Sequence, residues 1–179
     1  DAFYGDDQWQ SFTFASLISL FFGIILILAN KSENFNISLK QAFLLTTLSW
    51  VFIAFFGSLP FVFSDLGLSF TDAFFESMSG ITTTGSTILS GLDTLPHGIL
   101  IWRSLLQWFG GIGILLLALA ILPTLQIGGM QLLHMEHDDP YEKTLPKINQ
   151  FVFEILIIYI VLTLVCTILY YICGMTGFH

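Results

Sequence analysis

Four long stretches of the sequence contain no Asp, Glu, Lys or Arg, and they constrain the fold more than any other feature. They are residues 8–30, 41–64, 104–135 and 155–179. Each is long enough to form the helix of about 20 residues that crosses a bilayer. The chain is 10% charged, whereas soluble domains carry about 25% charged residues. The sequence therefore predicts an all-α membrane protein with four membrane-spanning helices in contact with lipid.

The lysines predict which ends of these helices face the cytoplasm. Lys31 and Lys40 flank the first connection, and Lys143 and Lys147 lie in the last one. Four single crossings place both connections on the same face, and loops that carry Lys or Arg stay cytoplasmic. The opposite face should concentrate cations. Its acidic residues are Asp1, Asp6, Asp7, Asp65, Asp72, Glu76 and Asp93. The net charge of −8 does not suit nucleic acid, so no nucleic-acid partner is expected.

The spacing of spans and breaks predicts how the chain is divided. Residues 1–38 hold a first span and an inner loop, and residues 39–123 hold a span, a hairpin and a second span over residues 96–123. The span that begins at residue 39 should end near Pro60. Residues 124–150 form a cytoplasmic connection, and residues 151–179 hold the last span. An acidic start without an initiator Met argues against a signal peptide and predicts an excerpt of a longer protein.

Residues 69–80 of the hairpin are predicted to form a short helix. Ser69 and Asp72 have the spacing of a capping box, and Gly80 is placed to end the helix. A helix of this length reaches only about 18 Å. Because the chain enters it from the outer face, its carbonyl end should point toward the membrane centre. The negative end of the helix dipole favours a cation there.

Residues 81–88 follow as an extended loop that contains Thr82-Thr83-Thr84-Gly85-Ser86-Thr87. Apolar residues flank these hydroxyls, which indicates a loop at membrane depth. Irregular backbone at that depth needs a water-filled path, because lipid would leave its amides and carbonyls unpaired. Gly85 would supply a backbone angle that other residues resist, and the carbonyls of Thr82 to Gly85 would replace the water shell of a cation. The alternative is a Thr-rich extracellular turn that only links two spans.

Two features of the span after the loop are predicted to support it. Arg103 must either snorkel to the surface or pair with an acid, and Glu76 or Asp72 on the short helix is the nearest candidate. A structural pair is favoured here over a gating charge. Gly110 and Gly111 indicate close helix packing, with a hinge as the alternative.

Other reactive residues have simpler explanations. Cys166 and Cys173 fit neither a disulfide framework nor a zinc site and are interpreted as inert thiols. The His and acidic residues within 134–139 suggest a metal cluster, but a solvated loop is favoured. The sequence has no Gly-x-Ser-x-Gly elbow, no His-Glu-x-x-His pair and no phosphate-binding glycine loop, so no enzyme activity is expected.

Two stretches of the sequence resemble a known family. Residues 70–80 read FTDAFFESMSG and precede Thr82-Thr83-Thr84-Gly85, and residues 103–114 read RSLLQWFGGIGI. Both are similar to the first pore module of TrkH-type potassium uptake proteins, members of the Trk/Ktr/HKT superfamily. The similarity continues through AILP at 120–123 and GGMQL at 128–132, so it covers most of the chain.

The resemblance implies a pore of four non-identical helix-hairpin-helix modules, each with a re-entrant pore helix and filter loop. Residues 39–123 would be the first module, and the last span would open the second. The filter would comprise Thr82, Thr83, Thr84 and Gly85, with potassium held by backbone oxygens of Thr83 and Thr84. Potassium is then the substrate, no organic cofactor is expected, and the gate residues lie beyond residue 179.

The resemblance also implies a multi-pass protein of the bacterial inner membrane that forms a homodimer. Its expected partner is a cytoplasmic nucleotide-binding ring called TrkA, and residues 126–150 are a candidate contact. Ser86 and Thr87 stand where tetrameric potassium channels carry a second glycine, so the choice between potassium and sodium stays open. Channel activity, symport with protons or sodium, and the regulatory ligand also stay open.

Two other functions compete with ion uptake. A non-conducting membrane scaffold or accessory subunit of a cation transporter is the alternative, because one module cannot close a ring. An intramembrane enzyme would need a nucleophile or metal set, and the sequence offers none.

Overall fold

The computed structural model describes residues 9–29, 39–121 and 144–175. Its helices are α1 (Trp9–Ala29), α2 (Leu39–Phe63), α3 (Phe70–Ile81), α4 (His97–Ile121) and α5 (Thr144–Ile172). A short 3₁₀ helix covers Leu92–Thr94. The described residues contain no strand, so the predicted all-α class is confirmed.

Four of these helices are long and apolar enough to cross a membrane. The candidate spans are Trp9–Ala29, Phe43–Phe63, His97–Leu117 and Val152–Ile172. The four predicted spans are therefore present. The helix α3 has 12 residues and reaches about 18 Å, which is too short to cross a hydrocarbon core of about 30 Å.

One predicted helix end is wrong. The helix α2 does not stop near Pro60 but continues through it to Phe63. Residues 57–61 are all buried, and packing around that turn outweighs the one backbone donor that proline removes. The helix α5 begins at Thr144, seven residues before residue 151, and the candidate span Val152–Ile172 within it agrees with the predicted last span. Pro146 lies in its first turn, where a backbone N–H has no helical partner in any case.

The first predicted connection, and most of the last one, lie outside the described residues. These are the inner loop at residues 30–38 and the stretch 122–143. The chain forms two compact units, Asp1–Gly111 and Ile112–His179. The hairpin and its loop belong to the first unit.

The first unit has a small apolar core, which consists of Ala54, Phe61, Ala73, Ile81, Ile99 and Leu106. Side chains also tie the helices together by hydrogen bonds to backbone carbonyls. The Trp102 indole N–H donates to the Gly57 carbonyl at 2.9 Å, which joins α4 to α2. The Ser11 hydroxyl donates to the Phe63 carbonyl at 2.8 Å, so α1 satisfies one of the carbonyls that α2 leaves unpaired at its end.

Glycines allow α4 to approach the end of α3. A Cβ at Gly110 would overlap the Ile81 carbonyl oxygen and lie 2.7 Å from the carbonyl carbon. A Cβ at Gly80 would lie 3.0 Å from the Leu106 Cβ. The two helices therefore touch where α3 ends, and their contact fixes the start of the Thr-rich loop.

We expect Gly110→Ala to destabilise the protein, because the added methyl group meets rigid backbone rather than a movable side chain. Overpacking of this kind lowers the unfolding free energy by about 1–3 kcal/mol. The measurement is the apparent Tm of the full-length protein in detergent.

Gly23→Ala in α1 is the matched control, since nothing lies within 4 Å of a Cβ at Gly23. Replacing a helical glycine by alanine at an open site stabilises by about 0.5–1 kcal/mol. Equal Tm values for the two variants would contradict the close contact.

Candidate functional site

The short helix α3 begins with the cap that its sequence predicts. Ser69 has extended backbone with φ −67° and ψ 158°, and its hydroxyl oxygen accepts from the Asp72 amide at 3.2 Å. The same hydroxyl donates to Asp72 Oδ2 at 2.7 Å. Because Asp72 is engaged at the start of the helix, it serves the cap rather than Arg103.

The predicted end of α3 at Gly80 is wrong by one residue. Gly80 is helical, and the helix runs to Ile81 with Thr82 as its C-cap. Gly80 is needed for contact with Leu106, not for a left-handed turn. The left-handed residue is Thr83, with φ 57°.

The Thr-rich loop turns its amides back onto the end of α3. The amides of Thr82 and Thr83 donate to the carbonyls of Met78 and Gly80, each at 2.9 Å. The amides of Thr84 and Gly85 donate to the Ser79 carbonyl at 3.0 and 3.3 Å. Carbonyls that a helix leaves unpaired at its C-terminus are thus satisfied by the loop itself.

The same amides determine where the loop carbonyls point. In a planar trans peptide the N–H of one residue lies opposite the C=O of the residue before it, and the described residues contain no cis bond. The carbonyl oxygens of Thr82, Thr83 and Thr84 therefore point away from α3. No described hydrogen bond ends on these three oxygens, and their residues are exposed in this chain.

Alternating backbone conformation produces this arrangement. Thr82 has φ −81° and ψ 2°, Thr83 has φ 57°, and Gly85 has φ 77°. A right-handed residue followed by a left-handed one gathers successive N–H groups on one side. A positive φ at a β-branched residue such as Thr83 is strained, by about 1–3 kcal/mol. The surrounding hydrogen bonds must hold it in place.

Two threonine hydroxyls add to this restraint. Thr82 Oγ1 donates to the Met78 carbonyl at 2.8 Å and lies 2.8 Å from Thr84 Oγ1. A hydroxyl has one proton to donate, and that of Thr82 is used on Met78. Thr84 is therefore the donor to Thr82, and the chain of hydroxyls binds both sides of Thr83 to the helix.

A buried carboxylate joins the loop to α4. Glu76 is 1% exposed, and its Oε2 accepts from Arg103 Nε at 2.9 Å. Its Oε1 accepts from the Thr87 hydroxyl at 2.5 Å and from the Ile88 amide at 2.6 Å. Of the two acids that the sequence offers to Arg103, Glu76 is the one in contact. One side chain thus holds α3, the outgoing limb of the loop and α4 together.

The other candidate residues are distributed as follows. Gly110 is buried against Ile81, whereas Gly111 is half-buried. Cys166 and Cys173 are free and exposed. The predicted solvated loop at 134–139 lies outside the described residues. Within the described ranges no group of three or more His, Cys, Asp or Glu residues could hold a metal ion.

Sequence reasoning missed some of the residues that shape the loop. The Ser79 hydroxyl donates to the Ser86 carbonyl, and the Thr87 hydroxyl donates to Glu76. Trp102 and Gly57 join α4 to α2. A signal for Ser79 was available, because it lies three positions after Glu76 and therefore on the same helical face.

We expect Arg103→Gln to lower the unfolding free energy by about 3–5 kcal/mol, because it leaves the Glu76 charge buried without a cation. Glu76→Gln should act in the same direction, and the double variant should lose less than the sum of both. Thermal unfolding of the full-length protein in detergent measures this coupling.

Asp65→Asn is the control, because Asp65 is an exposed acid of the same unit. Exposed substitutions usually change stability by less than about 0.5 kcal/mol. Additive losses from the two single variants would show that Glu76 and Arg103 are not energetically coupled.

Comparison with known proteins identifies the family to which the chain is similar. A family model described as TrkH, cation transport protein, matches residues 8–179. The chain is 44% identical over 178 residues to the Trk system potassium uptake protein TrkH of Salmonella typhimurium, covering 98% of this chain and 37% of that protein. It is 49% identical over 142 residues to the Trk system potassium uptake protein TrkI of Halomonas elongata, covering 78% of this chain and 29% of that protein.

A more distant relative is the Trk system potassium uptake protein TrkG of Escherichia coli K12. It is 34% identical over 151 residues, covering 83% of this chain and 31% of that protein. The chain thus spans about a third of the length of the curated relatives it matches. Its four apolar helices are those of a multi-pass membrane protein, and the chain belongs to the TrkH family of cation transport proteins.

Proposed function

We propose that the protein containing this chain takes up potassium across the bacterial inner membrane, and that the loop from Thr82 to Gly85 is one wall of its selectivity filter. One observation carries the proposal. The carbonyl oxygens of Thr82, Thr83 and Thr84 point together away from α3 and accept no described hydrogen bond. Oxygens in that condition at membrane depth need a polar partner, and a cation that has shed water supplies one.

The way the loop is held suits cation binding without rearrangement. Each amide from Thr82 to Gly85 is already bonded to α3, so the carbonyls do not have to reorient when an ion arrives. The loop peptides also have the same orientation as the peptides of α3, with their N–H groups toward the helix and their carbonyls away from it. Their dipoles extend the helix dipole through the loop, and its negative end falls on the carbonyls that would face the ion.

Potassium rather than another cation is proposed from the names of the relatives, which are Trk system potassium uptake proteins. One module would supply one side of the filter, with Thr83 and Thr84 as its principal ligands. The other sides would come from later modules of the longer protein. In that protein Glu76, Arg103, Gly110 and Gly111 would support the filter from behind.

The proposal extends to energetics and partners. Uptake would be driven by the membrane potential or by symport with protons or sodium. The whole protein would form a homodimer in lipid and bind a TrkA-like nucleotide-binding subunit on its cytoplasmic side. The candidate contact at 126–150 lies mostly outside the described residues.

We expect Gly85→Arg in the full-length protein to abolish rescue of a potassium-uptake-deficient strain at low external potassium. Gly85 has φ 77° and open space around a Cβ, so the new side chain meets no packed neighbour in this chain. It would instead place a positive charge in the cation path. Growth and rubidium uptake, each normalised to protein level in the membrane, are the measurements.

Gly67→Arg is the matched control, since Gly67 also has a positive φ of 66° and nothing within 4 Å of a Cβ. The strain is similar, but Gly67 lies before α3 and outside the loop. Growth with Gly85→Arg equal to that with Gly67→Arg, at equal protein level, would refute the filter assignment. Purified full-length protein without cation flux in liposomes would instead favour a non-conducting scaffold.

A further inference from the structure

One residue of α3 binds both limbs of the loop. Ser79 is 6% exposed. Its carbonyl accepts the amides of Thr84 and Gly85 at 3.0 and 3.3 Å. Its hydroxyl donates to the carbonyl of Ser86 at 2.6 Å. The Ser79 carbonyl therefore holds two N–H groups of the loop toward α3, whereas the Ser79 hydroxyl holds a carbonyl of the loop toward α3.

The carbonyl direction reverses between Thr84 and Ser86 as a result. The Gly85 amide points at α3, so the Thr84 carbonyl points away from it. The Ser86 carbonyl points back at α3, because the Ser79 hydroxyl holds it there. Gly85, with φ 77°, lies between the two and supplies the backbone freedom for the reversal.

The limb beyond Ser86 is held independently. Thr87 and Ile88 are bonded to Glu76 Oε1, and Glu76 is fixed by Arg103. The Ser86 peptide therefore sits between two anchored segments. The Ser79 hydroxyl restrains the Ser86 carbonyl directly. Removing this hydroxyl would free the carbonyl while both anchored segments stay bonded.

We propose that Ser79 is a specificity-determining positioning residue whose hydroxyl holds the Ser86 carbonyl out of the cation path, so that the ligand row of this module ends at Gly85. This inference rests on the proposed function, because it presumes that the carbonyls of the loop face a cation. A cation at the outer end of the row then keeps water where a longer filter would offer another carbonyl. The number of ligands, and with it the discrimination between potassium and sodium, is set from behind the filter by one hydroxyl.

Ser79→Ala in the full-length protein tests this inference. The variant frees the Ser86 carbonyl and loosens the Gly85–Ser86 segment, which can then adapt to the smaller ion. We expect the ratio of potassium to sodium flux in liposomes to fall about fivefold, the effect of one net hydrogen bond. Ser79→Cys keeps a weaker donor and should give an intermediate ratio.

Ser77→Ala is the matched control on the same helix. Ser77 is fully buried, and its hydroxyl has no hydrogen-bond partner in the described part of the chain. Removing that hydroxyl leaves the loop untouched, so the flux ratio should equal that of the unaltered protein. A general loosening of α3 would change the ratio in both alanine variants, whereas the proposed role changes it in Ser79→Ala alone.

A flux ratio in Ser79→Ala that is unchanged, or that changes equally in Ser77→Ala, overturns the inference while potassium flux by the unaltered protein sustains the proposed function. Absence of flux in the unaltered protein overturns both. If Ser79→Ala does not accumulate in the membrane, the comparison is made with Ser79→Cys, and a ratio equal to that of the unaltered protein then overturns the inference.

Discussion

The hydrogen-bonding needs of backbone outside a helix govern this hairpin. Between Ile81 and the 3₁₀ helix at Leu92–Thr94 the chain has no regular structure, and the hairpin that contains this segment lies between α2 and α4, two helices that can span a membrane. Backbone donors and acceptors that water does not reach must find partners within the protein, and hydrocarbon would supply none. In the loop, the four successive N–H groups from Thr82 to Gly85 find partners by donating to carbonyls at the end of α3. The matching carbonyls are thereby directed to the other side, where no described hydrogen bond ends on them.

The buried carboxylate of Glu76 solves a second problem, which is to hold the outgoing limb. A lone charge in this position would be strongly unfavourable. Arg103 balances it, and the Thr87 hydroxyl and the Ile88 amide occupy the remaining oxygen. Such a pair is weak evidence for stability in itself. Its role here is to position the chain. The carboxylate accepts from one donor on α4 and two donors on the outgoing limb, and together these bonds fix the limb relative to α3 and α4.

The sequence allows the helices and the location of the loop to be predicted, but not the details that orient the loop. Charge-free runs identify the spans because the cost of charge in lipid is large, and the Ser69 cap follows from a local pattern. The left-handed Thr83 could not be predicted, because its own preference opposes that conformation and only bonds from α3 impose it. The role of Gly80 was misassigned for a related reason. A glycine near a helix end suggests a stop, whereas here the space beside Leu106 decides.

Strain at Thr83 and the contact at Gly110 are connected steps of one arrangement. Gly110 lets α4 approach Ile81 at the last residue of α3, so the helix cannot extend or fray without displacing α4. Thr82 follows as the C-cap with φ −81° and ψ 2°, and the chain turns at Thr83, which has φ 57°. The hydroxyls of Thr82 and Thr84 then tie the strained residue to Met78. The helix contact at Gly110 and the hydrogen bonds around the strained residue thus restrain the neighbouring carbonyls, so that helix packing sets their spacing.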